Sequence, residues 1–234
     1  MNFSHFSGTL PEFVGTTVLD SIGLVIPGVD PSLREQLSLP EEITTLGLLS
    51  SRIGAAGQIV AADEAIKNSN ATLVSIELPR DTKGWGGHGC YVVLGGSDVS
   101  DMRRAVELAL EEIKKNSPGV MITKAGHLEL AYSARAGEAI HAAFGTPVGA
   151  SFGFLAGSPA AIGMVMADNV VKTSPVRIDR FMTPDRGTAH SNEVILAFSG
   201  EASATKEAVA RAKEVGTTLL CAMGDTNIIY GTEL

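Results

Sequence analysis

The chain carries one residue pattern twice. At a spacing of 105 positions, Ala61-Ala62-Asp63-Glu64-Ala65-Ile66-Lys67 lines up with Met166-Ala167-Asp168-Asn169-Val170-Val171-Lys172. The same offset sets Ala55 on Ala160, Ile59 on Met164, Pro79 on Pro184 and Gly95 on Gly200. A shift to 103 then sets Ala105-Val106 on Ala208-Val209. A matched helix, a matched proline and a matched strand-end glycine, in one order, point to an internal duplication. Solenoid repeats run about 20–50 residues, so a period this long means two domains. The 234 residues suit that division.

The units read as α/β. In the first, Ala55, Ile59, Ala62 and Ile66 fall on one helical face, and Ala160, Met164, Ala167 and Val171 repeat that stripe in the second. Asp63 with Lys67, and Asp168 with Lys172, are i, i+4 pairs expected on the outer face as surface or interface charges. Met102, Val106, Ala109 and Ile113 form the stripe of a later helix, whose counterpart runs from about Ala204 to Val215. An earlier helix begins with Asp30 as N-cap and Pro31 at its first position, carrying Leu33 and Leu37 inward. Its counterpart, Arg135 to Phe144, is stopped by Gly145. Strands are expected at Ile22–Ile26, Thr44–Leu49, Thr72–Leu78 and Tyr91–Leu94, and at Leu128–Tyr132, Val148–Leu155, Val176–Met182 and Val194–Phe198. Thr218–Met223 reads as an added edge strand. A linker near Asn116-Ser-Pro-Gly119 separates units 12–117 and 118–224, with residues 1–11 and 225–234 as flexible ends.

Composition removes several function classes. The net charge of −8 and an aromatic content of 5 % argue against nucleic acid as a partner. No apolar run reaches the ~18 residues of a membrane span. Two thiols, Cys90 and Cys221, read as free cysteines of a reducing cytosol, and the start of the chain lacks the pattern of a signal peptide.

Several segments resemble the tandem-domain shell proteins of bacterial microcompartments, in the B-type branch of propanediol-utilisation compartments. They are Phe13-Val-Gly-Thr, Asp20-Ser-Ile-Gly-Leu-Val-Ile26, Ala61-Ala-Asp-Glu-Ala65, Val74-Ser-Ile-Glu-Leu-Pro-Arg-Asp-Thr-Lys-Gly84 and Leu94-Gly-Gly-Ser-Asp-Val-Ser-Asp101. The second unit adds Ala125-Gly-His-Leu-Glu-Leu-Ala-Tyr132 and Ser191-Asn-Glu-Val-Ile195. The resemblance implies two circularly permuted shell domains, with the strand and helix that close an ordinary shell domain leading each unit. It also implies a homotrimer of pseudo-hexameric shape that tiles with other shell proteins, in a microcompartment shell in the bacterial cytoplasm. Cargo enzymes would attach through the short N-terminal segment, where Phe3 and Phe6 could dock.

In that family the loop between the two central strands approaches the symmetry axis. Here these loops hold Arg80, Asp81, Thr82, Lys83, Gly84, Trp85, Gly86, Gly87 and His88, and Asp185, Arg186, Thr188, His190, Ser191 and Asn192. Both are polar, and each carries an Arg, an Asp and a His, so they are candidates to line or plug a central pore for small polar metabolites. Glu77, and His127 with Glu129 on one face of a strand, are candidate channel residues; satisfied structural hydrogen bonds are the plainer reading of all three. The Gly84-x-Gly-Gly-x-Gly89 run lies between two strands, whereas a dinucleotide fingerprint needs a strand-to-helix turn. His88 with Cys90 is too little for a metal site. No nucleophile–base pair stands out, so neither an enzyme nor a cofactor is expected. A trimeric small-molecule sensor without shell assembly is the competing class.

Overall fold

The computed structural model describes residues 11–80 and 87–234. Unit one runs β1 (Glu12–Thr17), β2 (Ser21–Pro27), α1 (Pro31–Gln36), β3 (Thr45–Ser51), α2 (Ala56–Lys67), β4 (Thr72–Glu77), β5 (Cys90–Gly96) and α3 (Val99–Asn116). Unit two runs β6 (Val120–Ile122), β7 (His127–Ser133), α4 (Glu138–Phe144), β8 (Ser151–Ser158), α5 (Ala160–Thr173), β9 (Val176–Met182), β10 (Val194–Gly200), α6 (Ala202–Ala222) and a short β11 (Ile229–Tyr230). The first sheet has the order β1-β2-β3-β5-β4 and the second β11-β6-β7-β8-β10-β9. All neighbours are antiparallel. Without β11 the two orders coincide, so the duplication extends to topology. Two strands, β1 and β6, lead the units and were not expected; β6 is only three residues long.

The repeat holds rung by rung. Val25, Gly47 and Leu94 lie side by side across β2, β3 and β5. Tyr132, Gly153 and Phe198 do the same across β7, β8 and β10. The central glycine makes room for a close neighbour in both: a Cβ on Gly47 would press on Val106 at 3.0 Å, and one on Gly153 would meet the Phe198 ring at 2.3 Å. Helices α3 and α6 correspond equally well. Asp98 caps α3 by accepting from the Asp101 N–H, and Glu201 caps α6 by accepting from Ser203 and Ala204. Ala105 and Ala109 are buried under α3 as Ala208 and Ala212 are under α6.

Four expectations need correction. Thr218–Met223 is not a strand: the buried series Ala208, Ala212, Gly216, Leu220 keeps a four-residue step, so α6 continues to Ala222. The edge position goes to β11, whose Tyr230 pairs with Met121. Residues 225–234 are not a free tail, because the Leu19 N–H donates to the Leu234 carbonyl at 2.8 Å and Gly231 is buried. Leu33 and Leu37 do not point inward; each is 43 % exposed, and α1 buries no residue. The stripe on α5 is rotated: Ile162, Met166 and Val170 are buried with Ala167, while Met164 and Val171 are exposed and Ala160 is half-buried.

The difference between α2 and α5 comes from what covers them. Helix α2 is buried from Ala56 to Asp63 on every face, because α3 packs on one flank and α4 of unit two on another. Phe144, Phe152 and Phe154 of unit two pack together with ring centroids 5.2–6.4 Å apart. They belong to the same apolar cluster as Ile59, Val92 and Val106 of unit one. The two units therefore share one core. Among the described residues the matching face of unit two, α5 with β9, has no such cover, and Met164, Val165, Val171, Ile178 and Phe181 stand exposed there.

Candidate functional site at the junction of the two units

Carboxylates of each unit cap helices of the other. Asp63 of α2, 1 % exposed, accepts from the N–H groups of Gly137, Ala139 and Ile140 at the start of α4, at 2.8, 3.0 and 3.3 Å. Glu129 of β7 accepts from Ala55 and Ala56 at the start of α2, at 2.7 and 2.6 Å. The first N–H groups of a helix have no partner within it and favour a negative charge nearby, so each carboxylate satisfies orphan donors while locking the units together. A Cβ on Gly137 would sit 2.7 Å from Asp63 Oδ1, so glycine permits the approach. Asp63 is thus neither a surface charge nor outward-facing, although Lys67 does pair with it at 2.8 Å. Asp168, its repeat counterpart, is exposed and pairs with Lys172 at 2.7 Å.

Beside these caps, Glu193 at the start of β10 faces two imidazoles. One carboxylate oxygen meets His88 Nδ1, and the other lies 3.2 Å from His127 Nε2. Burial alone would raise this carboxyl, but hydrogen bonds and charge interactions with His127 and His88 outweigh it and hold Glu193 at about 2. Burial raises Glu129 against the pull of its two backbone donors, and the neighbouring Glu193 charge adds to the rise. Burial, with a smaller push from Glu129, likewise raises the Cys90 thiol, which stays protonated.

This junction anchors both central loops. The Gly89 N–H donates to the Pro79 carbonyl at 2.8 Å, closing the root of the first loop. Arg80 Nη1 reaches the Ala189 carbonyl of the second loop at 3.3 Å. A Cβ on Gly87 would lie 2.1 Å from Ser191 Oγ and 2.3 Å from Glu193 Oε1, so the loops touch where glycine allows it. In the second loop, Thr188 Oγ1 lies near the carbonyls of Thr183 and Ser191, and Asn192 Oδ1 accepts from the Ala160 N–H at 3.1 Å, at the start of α5. Asp185, Arg186 and His190 are exposed.

Of the residues singled out from sequence, Arg80, Gly87, His88 and Ser191 are therefore brought together, with His127 joined to them through Glu193. Glu129 and His127 are buried between the units, where their hydrogen bonds join elements. Glu77 lies apart, exposed on the edge strand β4 opposite Tyr91. Asp81, Thr82, Lys83, Gly84, Trp85 and Gly86 lie outside the described residues. Glu193 carries the arrangement and was quoted in the sequence only as part of Ser191-Asn-Glu-Val-Ile; its place right after a loop rich in hydrogen-bonding groups was the available signal.

The family model of the BMC domain matches twice, at residues 45–125 and 151–229. The chain is 46 % identical over 218 residues to the bacterial microcompartment shell protein PduB of Salmonella typhimurium (strain LT2), covering 93 % of this chain and 81 % of that protein. It is 44 % identical over 225 residues to PduB of Limosilactobacillus reuteri, covering 96 % and 94 %. Among solved structures, a trimeric PduB shell protein superposes with a TM-score of 0.87 at 44 % identity, covering 92 % of this chain and 95 % of that one. EtuB from Clostridium kluyveri superposes at 0.91 with 41 % identity, covering 97 % and 99 %. The doubled sheet order, the two matched domains and relatives aligned over nearly the whole chain place this protein, with a structural role, in the PduB-type family of bacterial microcompartment shell proteins.

Proposed function

We propose that three copies of the chain close into a ring of six units, with the Pro79–Gly89 and Pro184–Asn192 loops around its axis. The ring forms a tile that joins other shell proteins and passes small polar solutes, and its role is structural, not catalytic. The observation that carries this reading is the mismatch between the two outer faces. Inside the chain, α4 of unit two covers the α2 and β4 face of unit one. The equivalent α5 and β9 face is bare, and α1, the equivalent of α4, is bare as well. Seven exposed apolar side chains, Leu33, Leu37, Met164, Val165, Val171, Ile178 and Phe181, divide between these two surfaces. Setting α1 of one copy on α5 and β9 of the next repeats the internal contact and buries them.

Repeating that contact carries both loops to the same side of each unit, since they already meet through Arg80 and Ala189. The trimeric PduB structure supports the stoichiometry. Both family matches leave out β2 with α1 and β7 with α4, the pairs that lead each unit in a permuted domain, and this supports the permuted order, with units at 12–117 and 118–224. Electron microscopy of the purified protein tests the proposal. Threefold discs with both loops at the centre are expected; monomers, or discs with the loops at the rim, would overturn it.

A further inference from the structure

Unit one fills a place that unit two leaves open. In unit one, β1 continues back to Glu12, which pairs with Val25, and the Glu12 carboxylate receives Arg103 Nε and Nη2 at 2.9 and 2.7 Å. Leu110 of α3 closes over Gly15 and Gly23 of this strand pair. In unit two, β6 begins only at Val120. Before it, a 3-10 turn at Ser117–Gly119 leads back into α3, so among the described residues no segment occupies the position equivalent to Glu12.

The surroundings of that position have changed with it. Arg103 corresponds to Lys206, and Leu110 to Lys213, by the same offset that aligns the buried alanines of α3 and α6. An apolar residue beneath a strand has become a cation beside a groove of about 380 Å³, which Lys115, Lys206 and Lys213 flank above Leu130, Tyr132 and Val209. Lys115 is held by Glu112, and the Lys213 ammonium lies 5.8 Å from the Tyr230 ring centroid. The backbone is open as well. The Leu130 carbonyl faces Gly119, so Tyr132, two residues on, turns its peptide groups to the same side. Among the described residues, β6 pairs with β7 only as far as Glu129.

We propose that this groove accepts an extended acidic segment of a partner protein. The segment adds as a strand along Tyr132 and sets a carboxylate on Lys206, as Glu12 sets one on Arg103. Strand addition to an open edge draws affinity from main-chain hydrogen bonds and specificity from side chains. Lys206 and Lys213, which no carboxylate pairs among the described residues, select an acidic occupant on a chain of net charge −8. Residues 1–10 of this chain contain no Asp or Glu, so they do not supply that carboxylate.

A labelled, end-blocked peptide with the sequence of Glu12–Thr17, titrated onto the intact protein with fluorescence anisotropy as readout, tests this. Saturable binding is expected, weakened about tenfold or more by Lys206→Glu and by exchanging the peptide's Glu for Gln, and by added salt. Hydrogen exchange at the Tyr132 amide should slow when the peptide binds. Absence of binding at millimolar peptide, indifference to Lys206→Glu, or equal competition by free glutarate, which would mark a plain anion pocket, overturns the proposal. Lys206 is exposed on α6, so its substitution leaves the fold in place to report the loss.

Discussion

One carboxylate, Glu193, serves two imidazoles and ties the loop of one unit to the loop and strand of the other. Its folded value, about 2 against 4.5 in an unfolded chain, sets a direction for acid behaviour. A depressed carboxyl stabilises the fold fully above its unfolded value, and that stability is lost as pH falls from about 4.5 towards 2, on the order of 3 kcal/mol. Glu129 acts in the opposite sense, because burial raises it and its protonation on acidification relieves a buried charge. Thermal midpoints below about pH 4.5 should therefore fall less steeply in Glu193→Gln than in the wild type, while Glu129→Gln should steepen the fall only on the approach to pH 4.5 from above, where the Glu129 carboxyl takes up its proton in the folded chain first. Identical slopes in all three proteins would contradict the assignment. At this scale the sequence misleads most where its local pattern repeats. Asp63 with Lys67 and Asp168 with Lys172 share the same i, i+4 spacing, yet one aspartate caps a helix of the other unit and the other faces solvent. The cap depends on α4, 74 residues away, and nothing in a helical period reports that.

Helices and strands were easier to read. Stripes of apolar residues gave α2 and α3 directly, and β9 lies at Val176–Met182 as expected. The errors fall where a neighbour decides. Thr218–Met223 is a short apolar run, which suits a buried strand as well as a helix end, and β6 is too short to show a period. The stripe that α5 shares with α2 does not mark its buried face, because α2 is enclosed on all sides and α5 is not. The exposed half of α5 and β9 yields its own prediction. Phe181→Asp should leave the monomer folded, since Phe181 is 42 % exposed, and convert the trimer into monomers in sedimentation velocity. Retention of the trimer would place the contact elsewhere. Leu33→Asp, on the facing surface, should have the same effect.

For the whole molecule, the decisive feature is the single apolar cluster that holds Ile59 of one unit with Phe144 and Phe154 of the other. Burying side chains of this size contributes about 1.5–3 kcal/mol each, so exposing the cluster by separating the units is costly. Heat or denaturant should unfold the chain in one transition, with near- and far-ultraviolet circular dichroism coincident; two resolved steps would mean that the units are independent. Duplication itself was legible in the sequence, along with the division into two units. The shared core was not, because it joins residues of unlike position in the repeat.

That core fixes more than stability. Two sectors welded in this way are always made in equal number and always meet in the same sequence around a circle. A wall built from such couples alternates two kinds of sector without needing two genes to be balanced. One kind is then free to lose a strand segment and gain lysines while its sibling keeps the closed form.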